Sequence, residues 1–372
     1  MSRLLVALSG GVDSSAAAAL LVEQGHEVVA AYMKNWVNED GIPGECPWES
    51  DIEYALGVCR KLGIEFRIVD LVEQYRTRIV NYLLEGYRSG CTPNPDVLCN
   101  REIKFGVLLD YALEQGFEGV ATGHYARRLD VPGDGSFILR GLDGNKDQSY
   151  FLALMRPEQI ARAIFPIGGM KKPEVRALAA RFRLPTAARK DSQGICFIGK
   201  VKMSDFLRRY LPDQPGDIVD LHGRKLGEHR GLHLFTIGQR KGHGVASPRE
   251  GVAYVVVGKD MKSNRLILGY EDSETPGLYA GSALVGSLAN LRAPLPSRVW
   301  VQPRYRAPAV PAACIPCKGN RVRLQFDSPV RALAVGQVAA FYEPDARHGE
   351  RLLGGGFFES ITHGGHGEDK FF

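Results

Sequence analysis

The feature that most constrains this chain is a loop rich in glycine and serine near the amino terminus. Residues 4–8 form an apolar, strand-like stretch, residues 16–24 have a helix-like composition, and Ser-Gly-Gly-Val-Asp-Ser-Ser at residues 9–15 connects them. Glycines let a backbone turn tightly and approach an anion, while serine hydroxyls and the amides at a helix N-terminus supply hydrogen-bond donors. The loop therefore predicts a phosphate-binding turn in an α/β domain.

The loop differs from the two commonest nucleotide-binding signatures. It has neither the Gly-x-x-x-x-Gly-Lys-Ser/Thr spacing of a P-loop nor the Gly-x-Gly-x-x-Gly of dinucleotide folds, and Asp13 does not suit a P-loop. It resembles the pyrophosphate loop of the ATP-pyrophosphatase superfamily, whose members split ATP between the α and β phosphates and adenylate a carbonyl oxygen. The alternative is an ordinary glycine-rich turn between a strand and a helix.

The first part of the chain alternates short apolar segments with helical patterns, as a doubly wound parallel sheet requires. Strands are predicted at residues 4–8, 28–33, 66–70 and 119–123, and helices at residues 14–24, 51–62, 73–88 and 103–115. In such a sheet the ligand lies at the carboxyl ends of the strands. Met33 and Gly123, each at a predicted strand end, are therefore expected to flank the adenine and ribose of a nucleotide.

The composition changes after about residue 203. Residues 217–269 are rich in glycine and histidine and carry short alternating segments, and further short strands follow, for example at residues 298–301, 322–326 and 338–342. The expected fold is an α/β, doubly wound parallel-sheet nucleotide-binding domain, a small β-rich middle domain and a C-terminal β-barrel. The predicted bounds are 1–203, 204–274 and 275–362, followed by a tail at 363–372.

Charge distribution indicates the class of partner. The net charge is +5, but residues 156–209 hold thirteen Lys and Arg against four Asp and Glu, which suggests an anionic polymer. No apolar run approaches the length of a membrane span, so a cytoplasmic protein without a membrane partner is expected. The seven cysteines stand at irregular spacings and do not form a disulfide framework.

Two segments centred on cysteines can carry chemistry. In residues 92–105 two prolines flank Asn94, which predicts a stiff loop that presents Asp96 and Cys99 just before a helix begins. A cysteine in that position is expected to have a lowered pKa. In residues 189–200, Cys196 lies in a polar, glycine-flanked loop among several cations. For each cysteine the alternative is a small buried apolar side chain.

These segments resemble the tRNA-specific 2-thiouridylases. The resemblance rests on motifs that occur in the order of that family over nearly the whole chain. They are residues 9–15, 92–105, Thr-Gly-His-Tyr-Ala at 122–126, Lys-Asp-Gln-Ser-Tyr-Phe-Leu at 146–152, residues 191–199, and Thr-Ile-Gly-Gln-Arg-Lys-Gly at 236–242.

The resemblance implies ATP-dependent transfer of sulfur to C2 of the wobble uridine in tRNAs for Lys, Glu and Gln. ATP would adenylate the C2 oxygen, Cys196 would carry the persulfide, and Cys99 would be the nucleophile that then forms a disulfide with Cys196. Transfer from a persulfide does require a second thiol to resolve the linkage. Asp96 fits an acid-base residue at the target base, or alternatively an N-cap or turn aspartate. ATP would contact Ala7, Leu8, Ser9, Gly10, Gly11, Val12, Asp13, Ser14, Met33 and Gly123.

The resemblance also implies contacts with the anticodon stem-loop of tRNA. Asn94, Pro95 and Asp96 match the stretch that meets the flipped-out uracil, and a rigid polar loop suits an unstacked base. The other matching positions are His124, Lys146, Asp147, Gln148, Arg304, Tyr305 and Gln337. Mg²⁺ is expected with ATP. A cysteine desulfurase or a sulfur-relay protein is expected to deliver the persulfide to a monomeric enzyme.

Two other classes of protein remain open. A ligase that adenylates a small carbonyl compound would share residues 9–15 but would not need Cys99 or Cys196. An RNA-binding protein with ATP as a structural ligand would bind tRNA without releasing AMP. Cys91, eight residues before Cys99, could compete for the disulfide. Cys314 and Cys317 have zinc-like spacing, but no second cysteine pair follows, so no metal site is expected.

Overall fold

The amino-terminal domain is built on a five-stranded parallel sheet. The computed structural model describes residues 1–37, 48–190, 203–290 and 294–363. The sheet order is β3-β2-β1-β4-β7, with β1 Arg3–Ala7, β2 Glu27–Lys34, β3 Glu65–Asp70, β4 Gly119–Ala121 and β7 Ala163–Ile164. The four predicted strands are confirmed, each within two residues at either end. A parallel sheet with flanking helices is the predicted fold class, and it is confirmed.

Helices cover this sheet. They are α1 Val12–Glu23, α2 Trp48–Leu62, α3 Val72–Tyr75, α4 Asn81–Arg88, α5 Pro95–Leu98, α6 Leu108–Glu114, α7 Pro157–Ile160 and α8 Lys172–Arg181, and α9 Met203–Tyr210 follows. Two segments are π-helical, Arg76–Val80 between α3 and α4 and Cys99–Val107 between α5 and α6. Each predicted helix is present, but the last one begins eight residues earlier than predicted, at Pro95.

The sheet and α1 approach each other closely because their contact residues are apolar and small. Leu4 to Ala7 of β1 are all buried, as expected of a strand covered on both faces. Four consecutive alanines of α1, residues 16–19, have no exposed surface. Their lack of bulk lets the helix lie near the sheet, which places the start of α1 at the carboxyl end of β1.

The middle domain is a four-stranded sheet of order β10-β11-β8-β9. Its strands are β8 Gly216–Asp220, β9 Lys225–His229, β10 Tyr254–Asp260 and β11 Arg265–Tyr270. The strands β11 and β8 pair in parallel, and the other pairs are antiparallel. Ile218, Val256 and Leu268 are fully buried in its core.

The carboxyl-terminal domain is a closed antiparallel barrel, as predicted. Its strands are β12 Tyr279–Asn290, β13 Arg298–Gln302, β14 Val310–Cys317, β15 Arg321–Arg331, β16 Val338–Asp345 and β17 Gly349–His363. The order is β12-β15-β14-β13-β16-β17, and pairing of β12 with β17 closes the ring. Closure removes the exposed strand edges of an open sheet.

A hairpin of the amino-terminal domain extends the barrel sheet. The hairpin consists of β5 Ala126–Val131 and β6 Gly135–Arg140, and β6 pairs with β17 through Leu139 opposite Arg351 and Ile138 opposite Leu352. The first and last domains are therefore joined by main-chain pairing. Among the helices in the described part of the chain, none has the length and apolar composition to cross a bilayer.

Candidate functional site

The loop between β1 and α1 has the geometry of an anion cradle. Gly10 has a φ of 74°, a left-handed conformation that favours glycine, and a Cβ there would lie 2.5 Å from the Asp51 carbonyl oxygen. Gly11 stands at the N-cap of α1 and has no side chain with which to cap the amides of the first helical turn. Those amides have no acceptor within the helix, so they suit a phosphate group.

Serine side chains fix the shape of this loop. The Ser14 Oγ donates to the Gly11 carbonyl at 3.1 Å and accepts from the Ser9 amide at 3.2 Å. The Ser15 Oγ donates to the same carbonyl at 2.8 Å. Because these bonds lie within the loop, the cradle is formed without a ligand.

Asp13 is held by two residues from other elements. The Lys172 Nζ lies 2.8 and 2.9 Å from the two carboxylate oxygens, and the Tyr125 hydroxyl donates to Oδ1 at 2.8 Å. Lys172 is the first residue of α8, and only 12% of its side chain is exposed. The sequence reasoning missed Lys172 because its partner is 159 residues away.

Gly123 lies directly against the start of α1. A Cβ at this position would be 2.6 Å from the Ser14 amide nitrogen and 2.7 Å from the Asp13 carbonyl carbon. Its missing side chain thus lets the end of β4 approach the loop. Met33, the other predicted strand-end residue, is half-buried near the carboxyl end of β2 and pairs with Val69 of β3.

Arg189 ties the loop to α2. Its Nη1 donates to the Gly10 carbonyl at 2.7 Å, its Nη2 binds Asp51 Oδ1 at 2.6 Å, and its guanidinium lies 4.2 Å from the centroid of the Tyr54 ring. Burial raises the pKa of Asp51, although the bond and charge of Arg189 act in the opposite direction. In the sequence, Arg189 stands out only as one of the cations around Cys196.

Cys99 lies inside a helix, which corrects the prediction of a loop that ends before a helix. Helix α5 begins at Pro95, because the Asn94 Oδ1 accepts from the Val97 amide at 3.3 Å and proline occupies the first helical position. Asn-Pro is an N-cap signal that was present in the sequence. Asp96 therefore stands in the first turn, and Cys99 follows where the π-helical segment begins.

The position of Cys99 is enclosed, since only 1% of the residue is exposed. The next residue, Asn100, donates from Nδ2 to the Asp96 carbonyl at 3.1 Å and to the Phe151 carbonyl at 3.2 Å. These bonds tie the segment of Cys99 to the stretch at 146–152. The second predicted catalytic cysteine, Cys196, and the motif at 191–199 lie outside the described residues.

All three domains meet at Thr92, just before this helix. Its amide donates to the Val335 carbonyl at 2.9 Å, and its carbonyl accepts from Gln337 Nε2 at 2.8 Å. Its hydroxyl lies 3.4 Å from that of Thr236 in the middle domain. Gln337, expected at the tRNA, thus positions the chain that leads into α5.

His124 is enclosed by two phenylalanine rings. Its ring centroid lies 6.3 Å from that of Phe105 and 6.1 Å from that of Phe165, and its Nδ1 lies 2.7 Å from the Thr122 Oγ1. Burial, and secondarily the charge of Lys104, holds the pKa of His124 well below its ordinary value. His124 is therefore a neutral packing residue next to Gly123 in this structure.

The two stretches expected at the tRNA border one cavity. Asp147 and Tyr305 both line a cavity of about 470 Å³ between the amino-terminal domain and the barrel. Asp147 is buried and accepts from Arg140 Nη1 at 2.8 Å and from Ser149 Oγ at 2.9 Å. Lys146 and Gln148 are half-buried beside it, and Arg304 is exposed beside Tyr305.

Two named relatives match the chain over almost its whole length. The tRNA-specific 2-thiouridylase MnmA of Akkermansia muciniphila is 73% identical over 361 residues, which are 97% of this chain and 99% of that protein. The chain belongs to the tRNA-specific 2-thiouridylase family. The MnmA of Yersinia enterocolitica, another 2-thiouridylase, is 46% identical over 363 residues, 96% of this chain and 95% of that protein.

Three domain families match consecutive parts of this 2-thiouridylase family member. They are described as a tRNA methyl transferase HUP domain at residues 2–200, a tRNA methyl transferase PRC-barrel domain at residues 204–270, and an aminomethyltransferase β-barrel domain at residues 282–358.

Solved structures resemble about half of the chain. An NMN synthetase from Francisella tularensis is 17% identical with a TM-score of 0.33, covering 54% of this chain and 68% of that one. A 4-thiouridine synthetase in complex with RNA and ATP is 16% identical with a TM-score of 0.34, covering 54% and 46%.

Proposed function

We propose that this chain catalyses the ATP-dependent 2-thiolation of the wobble uridine in tRNAs for Lys, Glu and Gln. Family membership supports the reaction type. The supporting structural observation is that residues 122–125 contact two regions at once. Gly123 and Tyr125 meet the phosphate loop, while His124 packs on Phe105 of the helix that carries Cys99. ATP chemistry and thiol chemistry can therefore share one site.

ATP is proposed to bind with its phosphates on residues 9–14, next to Ala7 and Leu8, and its nucleoside between Met33 and Gly123. The uncapped start of α1 and the close approach at Gly123 fit a triphosphate. Lys172 offsets the charge of Asp13, which lowers repulsion of an incoming polyanion. Mg²⁺ is proposed to accompany ATP and to neutralise the charge of a departing pyrophosphate.

The proposed chemistry has three steps, and each step forms one bond and breaks another. The C2 oxygen of the uracil attacks the α phosphorus of ATP, and pyrophosphate leaves. The terminal sulfur of a persulfide on Cys196 then attacks C2, and AMP leaves with the former C2 oxygen. Finally the Cys99 thiolate attacks the Cys196 sulfur, which leaves the transferred sulfur on C2 and forms a Cys99–Cys196 disulfide. A thiol reductant must reduce that disulfide before the next turnover.

Asp96 is proposed as the acid-base residue at the uracil, with Asn94 and Pro95 beside it. Position supports this role, because Asp96 follows the N-cap and precedes Cys99 by three residues on the same helix.

The anticodon stem-loop is proposed to lie against Lys146, Asp147, Gln148, Arg304 and Tyr305. His124 and Gln337 are proposed as further contacts of the tRNA. The proposal includes a monomer in the cytoplasm that receives its persulfide from a cysteine desulfurase or relay protein.

The test is mass spectrometry of nucleosides from tRNA incubated with Mg-ATP and a persulfide source. Wild type is expected to form 2-thiouridine together with AMP, and Cys99→Ser and Cys196→Ser are expected to form none. Cys59→Ser, at a buried cysteine of α2, is the matched control and should retain the reaction. If Cys99→Ser and Cys196→Ser both release AMP as fast as wild type, the result would support the ligase instead. Binding of tRNA without AMP release would support the RNA-binding protein.

A further inference from the structure

The cavity that Asp147 and Tyr305 border, between the amino-terminal domain and the barrel, has further features that the contacts proposed above do not use. It measures about 470 Å³, within the range of small-ligand sites. We call it the Trp300 cavity, and its lining includes Trp300, Tyr305, Arg306, Asn145, Arg140 and Glu350.

One wall is an exposed tryptophan. Trp300 lies on β13 between the buried Val299 and Val301, and 40% of its surface is exposed. Aromatic side chains of this size bury most of their area in folded proteins. A planar ring that stands in an open cavity offers a stacking surface, and every nucleobase has a flat face that can use it.

The floor is polar and rigid. The Arg140 Nη1 donates to Asp147 Oδ2 at 2.8 Å and to Gln302 Oε1 at 2.9 Å, and its Nε donates to Glu350. Its guanidinium also lies 3.8 Å from the centroid of the Tyr342 ring. Since these contacts fix Arg140 from two domains, the floor presents donors and acceptors in set positions to the edge of a ring.

The rim carries a cation in an unusual backbone conformation. Arg306 is exposed and has a φ of 64°, a left-handed conformation that costs free energy for any residue except glycine. Its guanidinium lies 5.4 Å from the centroid of the Tyr305 ring. Arg306 therefore places a positive charge among the residues that line the cavity, where a phosphate can meet it.

The cavity is linked to the helix of Cys99 by direct contacts. The Tyr305 ring centroid lies 4.4 Å from that of Phe151, and the Phe151 carbonyl accepts from Asn100, the residue after Cys99. A nucleotide in the cavity would thus be separated from the proposed catalytic cysteine by one aromatic pair. This spacing suits another nucleotide of the same RNA loop.

We propose that the Trp300 cavity binds an unstacked nucleobase of the anticodon loop other than the target uridine. This inference rests on the proposed function for the identity of the RNA. The base stacks on Trp300, its edge meets the floor formed around Arg140, and Arg306 contacts the adjoining phosphate. An RNA fits better than a protein here because a flat aromatic wall and a cationic rim are combined.

The first test compares the affinities of Trp300→Ala, Trp300→Phe and wild type for a tRNA anticodon stem-loop, without ATP or a sulfur source. Loss of one stacked base is expected to weaken binding about 5- to 150-fold in Trp300→Ala. Phenylalanine should restore most of the affinity. Ile315→Ala is the matched control, because Ile315 is 50% exposed on the neighbouring strand β14 outside the cavity.

Salt dependence separates stacking from charge. Trp300→Ala should keep the slope of log affinity against log salt, whereas Arg306→Gln should reduce that slope by about one. Equal affinities of Trp300→Ala and wild type would overturn the inference. So would a loss that phenylalanine does not restore, if thermal unfolding shows Trp300→Ala to be folded.

A second test identifies the base. In this test each stem-loop carries one abasic nucleotide, and every position is tested in turn. At a single position other than the target, removal of the base should weaken binding to wild type but leave the affinity of Trp300→Ala unchanged. Absence of such a position overturns the inference. If wild type binds RNA at that position but forms no 2-thiouridine, the proposed function fails alone. If wild type thiolates but no position couples to Trp300, the inference fails alone, and failure of wild type to bind the RNA removes both.

Discussion

The ammonium of Lys172 contacts both carboxylate oxygens of Asp13, at 2.8 and 2.9 Å, across 159 residues of sequence. Asp13 belongs to the first turn of α1, inside the phosphate loop. A free carboxylate there would repel a triphosphate at a distance of a few ångströms. The pair therefore makes the loop receptive to an anion before one arrives.

Replacing Lys172 tests this pairing. We expect Lys172→Met to weaken ATP binding and to slow AMP formation by about 10²-fold, the usual effect of losing one electrostatic donor in a site. The matched control is Lys171→Met, since Lys171 is the adjacent residue and is exposed. Equilibrium binding of ATP and release of AMP measure the two effects. Similar ATP affinity in both variants would show that Lys172 only supports the fold.

Gly123 offers a steric test of the same site. A methyl group at Gly123 would lie 2.6 and 2.7 Å from backbone atoms of Ser14 and Asp13, so the loop must move. We expect Gly123→Ala to lower the free energy of unfolding by about 1–3 kcal/mol, as overpacking does, and to weaken ATP binding. Calorimetric titration with ATP measures the change in affinity. Gly169→Ala is the control, because a Cβ there meets no described atom within 4 Å, and equal affinities would argue against close approach at Gly123.

Four strands of the parallel sheet were predictable because each contains a short apolar run, whereas β7 was not predicted, since Ala163–Ile164 is only two residues long. The predicted start of the Cys99 helix lies too late in the chain because two prolines in a local pattern favour a loop. Proline is favoured at the first helical position, and Asn94 before Pro95 is the cap that allows a helix there. The same dipeptide thus predicts a loop or a helix start, depending on whether the asparagine is considered as a cap.

Contacts between distant segments could not be predicted from local patterns. Lys172 with Asp13, Arg189 with Gly10, and Thr92 with Val335 join residues that have no relation in sequence. Such pairs depend on how distant segments pack, within a domain or between domains, and the local patterns of a single sequence do not reveal that packing. The assignments of Asp96, Cys99 and the tRNA contacts came from the family resemblance and remain predictions.

The cysteines differ in environment, which predicts their reactivity. Burial raises the pKa of Cys59 and of Cys314 to about 11, so both thiols stay protonated at neutral pH. We expect iodoacetamide at pH 7.5 to leave both unmodified in the folded protein and to label them after unfolding, as read by peptide mass spectrometry. Cys317, at the end of β14 and partly exposed, is the internal reference. Labelling of Cys59 as fast as Cys317 would contradict this.

Cys91 is the chemical control for Cys99. It lies at the junction of the domains, and Ser89 Oγ is 3.5 Å from its sulfur. We expect Cys91→Ser to retain 2-thiouridine formation and Cys99→Ser to lose it, with single-turnover assays as the measurement. A comparable loss in Cys91→Ser, with unchanged thermal stability, would assign the resolving thiol to Cys91 instead.

Buried histidines make folding stability depend on pH. Burial lowers the pKa of His124, His229 and His233, so the folded protein resists protonation that the unfolded chain accepts below about pH 6.5. Stability is therefore expected to fall as pH drops below 6.5, at up to about 1.4 kcal/mol per pH unit for a fully buried histidine. Urea unfolding midpoints at pH 7.5 and 5.5 measure this loss.

A variant isolates the share of His124. His124→Asn should show a smaller drop in midpoint between the two pH values than wild type, because the amide can still bond to Thr122 but does not titrate. His222→Asn is the control at an exposed histidine and should behave like wild type. An equal drop in all three proteins would mean that His124 is accessible to protons when folded.

The hairpin β5–β6 pairs its edge with β17, so the sheet of the barrel begins in the amino-terminal domain. Two domains connected only by a linker can change their separation, whereas two domains that share strands keep it constant. The distance between the phosphate loop and the barrel is therefore constant. An RNA that contacts both must have a loop that spans this distance, so the shape of the RNA loop contributes to selection before any base is recognised.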